Sequence, residues 1–117
     1  MTQAELDLMM ENEPDLSSYG MDTELNPSYV QNRIWLAQSI DIVNDCIVWL
    51  QANYDKFERN IDSYTLKHRM EKDINRIKYE HYIGSGHIVA AIFYLKYPYK
   101  IFRPNVLIKL SRKYQPN

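Results

Sequence analysis

The stretch SYVQNRIWLAQSIDIVNDCIVWLQANYDKFER, residues 28–59, decides how the rest of the chain is read. Apolar side chains fall at Val30, Ile34, Ala37, Ile40, Val43, Ile47, Leu50, Tyr54 and Phe57. Every step is three or four residues, which places all of them on one stripe of an α-helix. Trp35, Leu36, Ile42 and Trp49 widen that stripe on both flanks, the pattern of a helix with more than one packing partner. Neither glycine nor proline interrupts it, and at about 1.5 Å per residue it would reach roughly 45 Å. The expectation is an all-α fold: a small helical domain built on one long amphipathic helix, with an acidic N-terminal arm. Residues 1–25 make the arm, with a short helix in it, and residues 26–117 make the helical domain.

On the N-terminal side, Asn26-Pro27-Ser28 suits a helix start, because Asn or Ser can cap and proline fits the first turn. Further back, Thr2 and Glu5 have the spacing of a capping box for a short helix to about Asn12, stopped by Pro14. An acidic linker with turn chemistry follows from Asp15 to Asn26. Three readings of the arm stand side by side: a frayed terminus, a docking peptide anchored by Leu6, Met9, Met10, Leu16 and Tyr19, or a segment folded back on the basic half of the chain.

On the C-terminal side, Asp62 or Ser63 caps a second helix running to about Tyr82. It carries Leu66, Met70, Ile74 and Ile77 inward and packs antiparallel to the first. Gly84-Ser85-Gly86 breaks the chain, and a compact apolar helix runs from His87 to about Lys96, ended by Tyr97-Pro98. Residues 105–114 alternate like a strand at Val106, Ile108 and Leu110, yet also suit a helix capped by Asn105. Length and ending favour the helix.

A chain of 117 residues is one domain by length and can bury a core without disulfides. Its one cysteine, Cys46, permits no internal disulfide, which suits a reducing cytoplasm. No apolar run is long enough to span a bilayer, so no membrane partner is expected. The net charge of −1 hides a sharp division. Up to Glu58 the only bases are Arg33 and Lys56, against eleven acids; from Arg59 onward twelve bases face four acids, with none after Glu80. Such asymmetry points to an internal electrostatic clasp, a charged partner, or both. The acids of the arm, Glu5, Asp7, Glu11, Glu13 and Asp15, form one candidate interaction surface, able to imitate phosphates. The other is basic and aromatic: Lys96, Tyr97, Tyr99, Lys100, Arg103, Lys109, Arg112 and Lys113. Bases interleaved with aromatics suit nucleotide stacking and phosphate pairing, and equally a protein interface.

Catalytic signals are thin. His68, His81 and His87 with Glu71 or Glu80 lack the spacing of a tight metal or acid–base motif, so neither a metal, a cofactor nor a catalytic residue is assigned. The Gly84-Ser85-Gly86-His87 turn opens a helix and could present amides to an anion, although it lacks the full phosphate-loop pattern; a tight interhelical turn is the simpler reading.

The segments Ser63-Tyr64-Thr65-Leu66-Lys67-His68-Arg69-Met70-Glu71, Tyr82-Ile83-Gly84-Ser85-Gly86-His87-Ile88-Val89-Ala90-Ala91 and Pro104-Asn105 carry a resemblance. The C-terminal half is similar to a group of small proteins of phages and mobile elements that share a pattern close to SYxLKHxxE, then YxxxGxxIAAA, then Pro-Asn. Ile92 and Tyr97-Pro98 depart from that pattern. The resemblance implies a genetic setting rather than an activity, and singles out Lys67, His68, Glu71, Gly86 and Asn105 as motif residues of unknown role. The expected function is therefore a non-enzymatic, phage-type interaction protein that binds and inhibits or modulates a host protein or nucleoprotein complex, in the manner of small inhibitors of bacterial defence such as anti-CRISPR proteins. Nucleic-acid binding through the basic, Tyr-rich half is the alternative. A homodimer is a further expectation, because the long stripe would outrun the short helices.

Overall fold

The structure is a computed structural model that describes residues 1–74 and 83–110. These residues form five α-helices and five short strands in two antiparallel sheets, so the fold is α+β and the expected all-α helical bundle is corrected. In chain order, α1 (Gln3–Asn12) leads into a tight hairpin of β1 (Leu16–Ser17) and β2 (Gly20–Met21). Then come α2 (Tyr29–Ala37) and α3 (Ile40–Asn53), the latter closing in a 3₁₀ turn at Tyr54–Lys56. Next are β3 (Ile61–Asp62), α4 (Ser63–Asp73) and α5 (Ser85–Leu95), followed by the ribbon β4 (Tyr99–Phe102) and β5 (Asn105–Ile108).

The expected single long helix is two helices. Ser39 interrupts it: its hydroxyl donates back to the Trp35 carbonyl one turn earlier, and its backbone leaves helical geometry at φ −120° and ψ 41°. A serine bonded in this way competes with the helical ladder and bends it. The break also reorients the stripe. Val43, Ile47 and Leu50 of α3 are buried as the periodicity requires, whereas Val30 and Ile34 of α2 are 66% and 44% exposed and Leu36 is the residue that α2 buries. The premise for a dimer, one stripe outrunning its neighbours, goes with the unbroken helix.

The organising element is instead α5. From Ser85 to Ile92 every residue is buried, which only a helix enclosed on all sides can achieve. It packs chiefly on α3, and also on α4, the β1–β2 hairpin and β5. Lys96, in the left-handed conformation at φ 58°, ends it, followed by Tyr97 and Pro98. The second helix is also shorter than its periodicity suggests. Asp62 caps it by accepting from the Thr65 amide at 2.8 Å, but Ile74 is already extended. The remainder expected to reach Tyr82, with Ile77, lies outside the described residues. α4 lies against α5 and β5, tied to α3 by a 2.7 Å hydrogen bond from Trp49 Nε1 to Asp73.

Residues 105–108 are a strand rather than the favoured helix. Val106 and Ile108 turn inward, as the alternation at those two positions indicates. β5 is the middle of a three-stranded sheet ordered β3-β5-β4, with Ile61 opposite Ile108 and Phe102 opposite Asn105. The two-residue turn between β4 and β5 holds a cis peptide bond between Arg103 and Pro104.

The first 25 residues fold onto this body, with Leu6, Met10, Leu16 and Met21 in the core cluster. The Thr2–Glu5 capping box forms, with Thr2 N–H donating to Glu5 at 2.8 Å. That bond holds the Glu5 carboxyl below its usual range. At the other end of α1, the Arg33 guanidinium donates to the carbonyls of Met10, Glu13, Pro14 and Leu16 at 2.9–3.2 Å. These are the orphan acceptors of a helix C-terminus and the turn beyond it. The hairpin then meets α5 backbone to backbone. Gly86 N–H donates to Ser18 O at 2.9 Å, and a Cβ on Gly86 would lie 1.6 Å from Ser17 O. On the hairpin's other side Met21 N–H donates to Pro104 O at 2.7 Å; Gly20, at φ +130°, leaves no room there for a side chain.

Replacing Gly86 by alanine is therefore expected to cost about 3 kcal/mol or more, since both sides of the contact are backbone and neither can yield cheaply. Urea denaturation checks it, and a loss within experimental error of zero would contradict the close approach.

Candidate functional site

A cleft of about 550 Å³ opens where five segments of the chain converge. Tyr64 and Lys67 come from the exposed side of the first turns of α4, and Gly84 and Ser85 from the start of α5. Pro104 and Asn105 enter from the β4–β5 turn, Ser18 and Tyr19 from the hairpin turn, and Asn32 and Trp35 from α2. All three segments that carry the motif pattern thus reach one concavity, together with the N-terminal hairpin that lies outside the pattern. Its size is that of a small-molecule site. Among the described residues lining it, Lys67 is the one charged group.

The motif residues divide by role. Lys67 faces the cleft with its ammonium 5.6 Å from the Tyr64 ring centroid. Asn105 is held by Ser63, whose hydroxyl donates to Oδ1 at 3.3 Å and accepts from the Val106 amide at 3.0 Å. Ser63 is fully buried, so this pair locks the start of α4 to the ribbon turn. His68 and Glu71 form an (i, i+3) contact at 3.4 Å on α4, and the His68 ring stands edge-on to Tyr64 at 4.5 Å. Neither lines the cleft. Gly86 serves the close approach to Ser17 described above.

Three of the four amides of the glycine turn are already committed within the protein. Gly84 N–H donates to His87 Nδ1 at 3.0 Å, Gly86 N–H to Ser18 O, and His87 N–H to Gly84 O at 3.1 Å. The turn is a docking point for the hairpin, a use of glycine that depends on a distant segment.

His87 stands behind the cleft wall, fully buried, with Trp35 perpendicular to it at 4.8 Å. Because Nδ1 accepts, the neutral imidazole carries its proton on Nε2, which has no hydrogen-bond partner among the described residues. Burial dominates and pushes the pKa down to about 4, against the opposing pull of Asp41. His68 is half exposed on α4, so the two histidines occupy different environments; His81 lies outside the described residues. Among the described residues no cluster of three or more His, Cys, Asp or Glu is placed to hold a metal ion. Cys46 is buried, and desolvation raises its thiol pKa well above the ordinary value, the state of an unreactive core thiol.

The basic and aromatic candidates gather on the ribbon. All four residues of β4 are exposed, and β4 is a sheet edge. The Lys100 ammonium lies 5.1 Å from the Phe102 centroid, and Lys96 and Lys109 are exposed beside the strand. Tyr97 turns inward and stacks on Tyr54 at 3.9 Å, whose hydroxyl donates to Lys109 O. Arg112 and Lys113 lie outside the described residues. Arg103 pairs with Asp15 at 2.8 Å, the ion pair that joins the acidic segment to the basic half. Of the other arm acids, Glu5 caps α1, Asp7 accepts from Gln3, Glu11 is exposed, and Glu13 borders a hollow shared with Lys96 and Tyr99. Asp15 and Glu13 thus lie beside bases of the other candidate surface. Arg33 and the buried Ser63–Asn105 lock escaped sequence reasoning, because their partners are backbone groups and residues roughly twenty and forty positions away.

No family model, curated protein or solved structure matches this chain. Among the described residues no helix is long and apolar enough to cross a membrane.

The buried neutral His87 gives a pH signature. Its folded pKa lies below the ordinary 6.5, so the unfolded chain takes up the proton first as pH falls. The stability it contributes is whole above about pH 6.5 and is lost as pH falls from there to about 4. Urea denaturation should show a loss of about 2 kcal/mol between about pH 7 and pH 5. The loss should be largely absent in His87→Gln, and equal slopes in the two proteins would refute the assignment.

Proposed function

We propose that this is a small, non-catalytic interaction protein of phage type, which docks on a bacterial host protein or nucleoprotein complex in the cytoplasm and inhibits or modulates it. The observation that supports this reading is the β4 ribbon. Tyr99, Ile101 and Phe102 are 40%, 38% and 54% exposed on a strand whose outer edge has no partner among the described residues. Folded proteins usually shield such an edge, and an exposed one is a template for an added strand. Lys96, Lys100 and Lys109 surround it, so the favoured partner segment is extended and acidic, with apolar side chains to cover Ile101 and Phe102.

One observation favours nucleic acid as a second reading. The Phe102 ring and the Lys100 ammonium form a contiguous pair suited to a base and its phosphate. The net charge of the whole chain works against it, although fields act locally in salt.

Two measurements separate these readings. Capture from a bacterial lysate in moderate salt, read by mass spectrometry, is expected to retain the same host protein on the wild-type chain and lose it, by about tenfold or more, on the double variant Lys100→Glu, Phe102→Ser. Equal retention by both chains would overturn the ribbon as the contact. Fluorescence anisotropy with short single-stranded DNA and RNA that carry no terminal phosphate should show no binding at moderate salt if the first reading holds. Binding that falls steeply with salt and vanishes in the same double variant would establish the second reading in its place.

A further inference from the structure

The cleft is separate in its chemistry from the ribbon, and its walls combine features that a protein-docking edge does not need. Tyr19 and Tyr64 are 52% and 53% exposed at its rim, so two aromatic side chains stand within reach of a ligand. Trp35 adds a third face, supported from behind by the perpendicular His87. The Lys67 ammonium lies over the Tyr64 ring, which places a cation beside a stacking surface. Two carboxamides, on Asn32 and Asn105, offer paired donors and acceptors of the kind that match the edge of a base. The grip of Ser63 on Asn105 Oδ1 orients that amide and leaves its Nδ2 donors uncommitted among the described residues. No acidic side chain among the described residues lines the walls, and Lys67 gives them a cationic group.

We propose that this cleft binds a nucleoside monophosphate unit, either free or as the phosphorylated end of a single strand. The base stacks against the Tyr19 and Trp35 rings, the phosphate pairs with Lys67 beside Tyr64, and the Asn32 and Asn105 amides contact polar edges of the base. A simple anion would make no use of the aromatic rings, and a neutral aromatic ligand would make none of Lys67. The site is assembled only when the hairpin, α4 and the ribbon turn are all in place, so binding is also expected to stabilise the fold.

The chain has two tryptophans, Trp35 in the cleft and Trp49 against Asp73, which gives an internal control. Titration of the full chain with AMP, followed by NMR of the two indole N–H signals, should move Trp35 saturably and leave Trp49 in place. Adenosine and inorganic phosphate should each bind about tenfold or more weakly than AMP. Lys67→Gln should weaken AMP by about tenfold, and Asn32→Asp, which sets a carboxylate among the ligand contacts, should weaken it further. Both positions reach the surface, and an unchanged denaturation midpoint confirms that each variant is folded. A 5′-phosphorylated oligonucleotide that binds tighter than AMP identifies a strand end as the source; one that binds equally or more weakly identifies the free nucleotide. Absence of a saturable Trp35 shift with AMP, GMP, CMP and UMP at millimolar concentration would overturn the proposal, as would AMP binding unaltered in both variants. Neither result bears on the ribbon, whose test uses different residues.

Discussion

The backbone of Ser17 and Ser18 lies directly on the first turn of α5, closer than any side chain on Gly86 would permit. The contact is a hydrogen bond from Gly86 N–H to Ser18 O with the missing Cβ as its condition. Much of the remaining architecture follows from it. The hairpin covers one side of α5, which lets that helix be buried from Ser85 to Ile92 and so become the centre of the domain. Because the hairpin is held there, Leu16 and Met21 enter the core, and Arg33 finds the carbonyls that end α1. The acidic N-terminal segment is in this way an integral layer, with Asp15 close enough to Arg103 to form an ion pair.

The same contact builds the cleft. The hairpin turn supplies Ser18 and Tyr19, and its other strand is bonded to Pro104, bringing the ribbon turn alongside. Ser63 completes the ring by joining α4 to Asn105 and Val106. A polar layer of backbone and small side chains therefore sits above an apolar centre, and the aromatic and cationic groups project from it. The outer strand of the ribbon has the reverse character, since its exposed residues form the edge itself.

Much of the fold was legible from sequence at short range. The caps at Thr2 and Asp62, the extent of the helix after the glycine turn and its ending before Pro98 rest on local chemistry, and the structure has them. The larger organisation was not. A three- and four-residue spacing through Ala37 and Ile40 is compatible with one helix or two, because periodicity records a face and carries no signal for a serine that bonds back to Trp35. The strands were hidden for other reasons. Only two residues of β3 pair, β4 has no buried face to alternate, and the alternation in β5 is short enough to fit a helix. Of the site, Lys67 and Asn105 were visible as motif residues, whereas Asn32, Trp35 and Tyr19 join them only through the packing of the hairpin. The glycines were readable as a break, but their purpose lies some seventy residues away.

Hydrogen exchange at single-residue resolution tests the central claim most directly. If the hairpin is locked on α5, the amides of Gly86 and Met21 exchange only through global unfolding, with the same free energy of opening as the core amides of α3. Exchange of either amide at the rate of an unstructured chain, while α3 stays protected, would show that the N-terminal segment is not part of the folded core and would contradict the account.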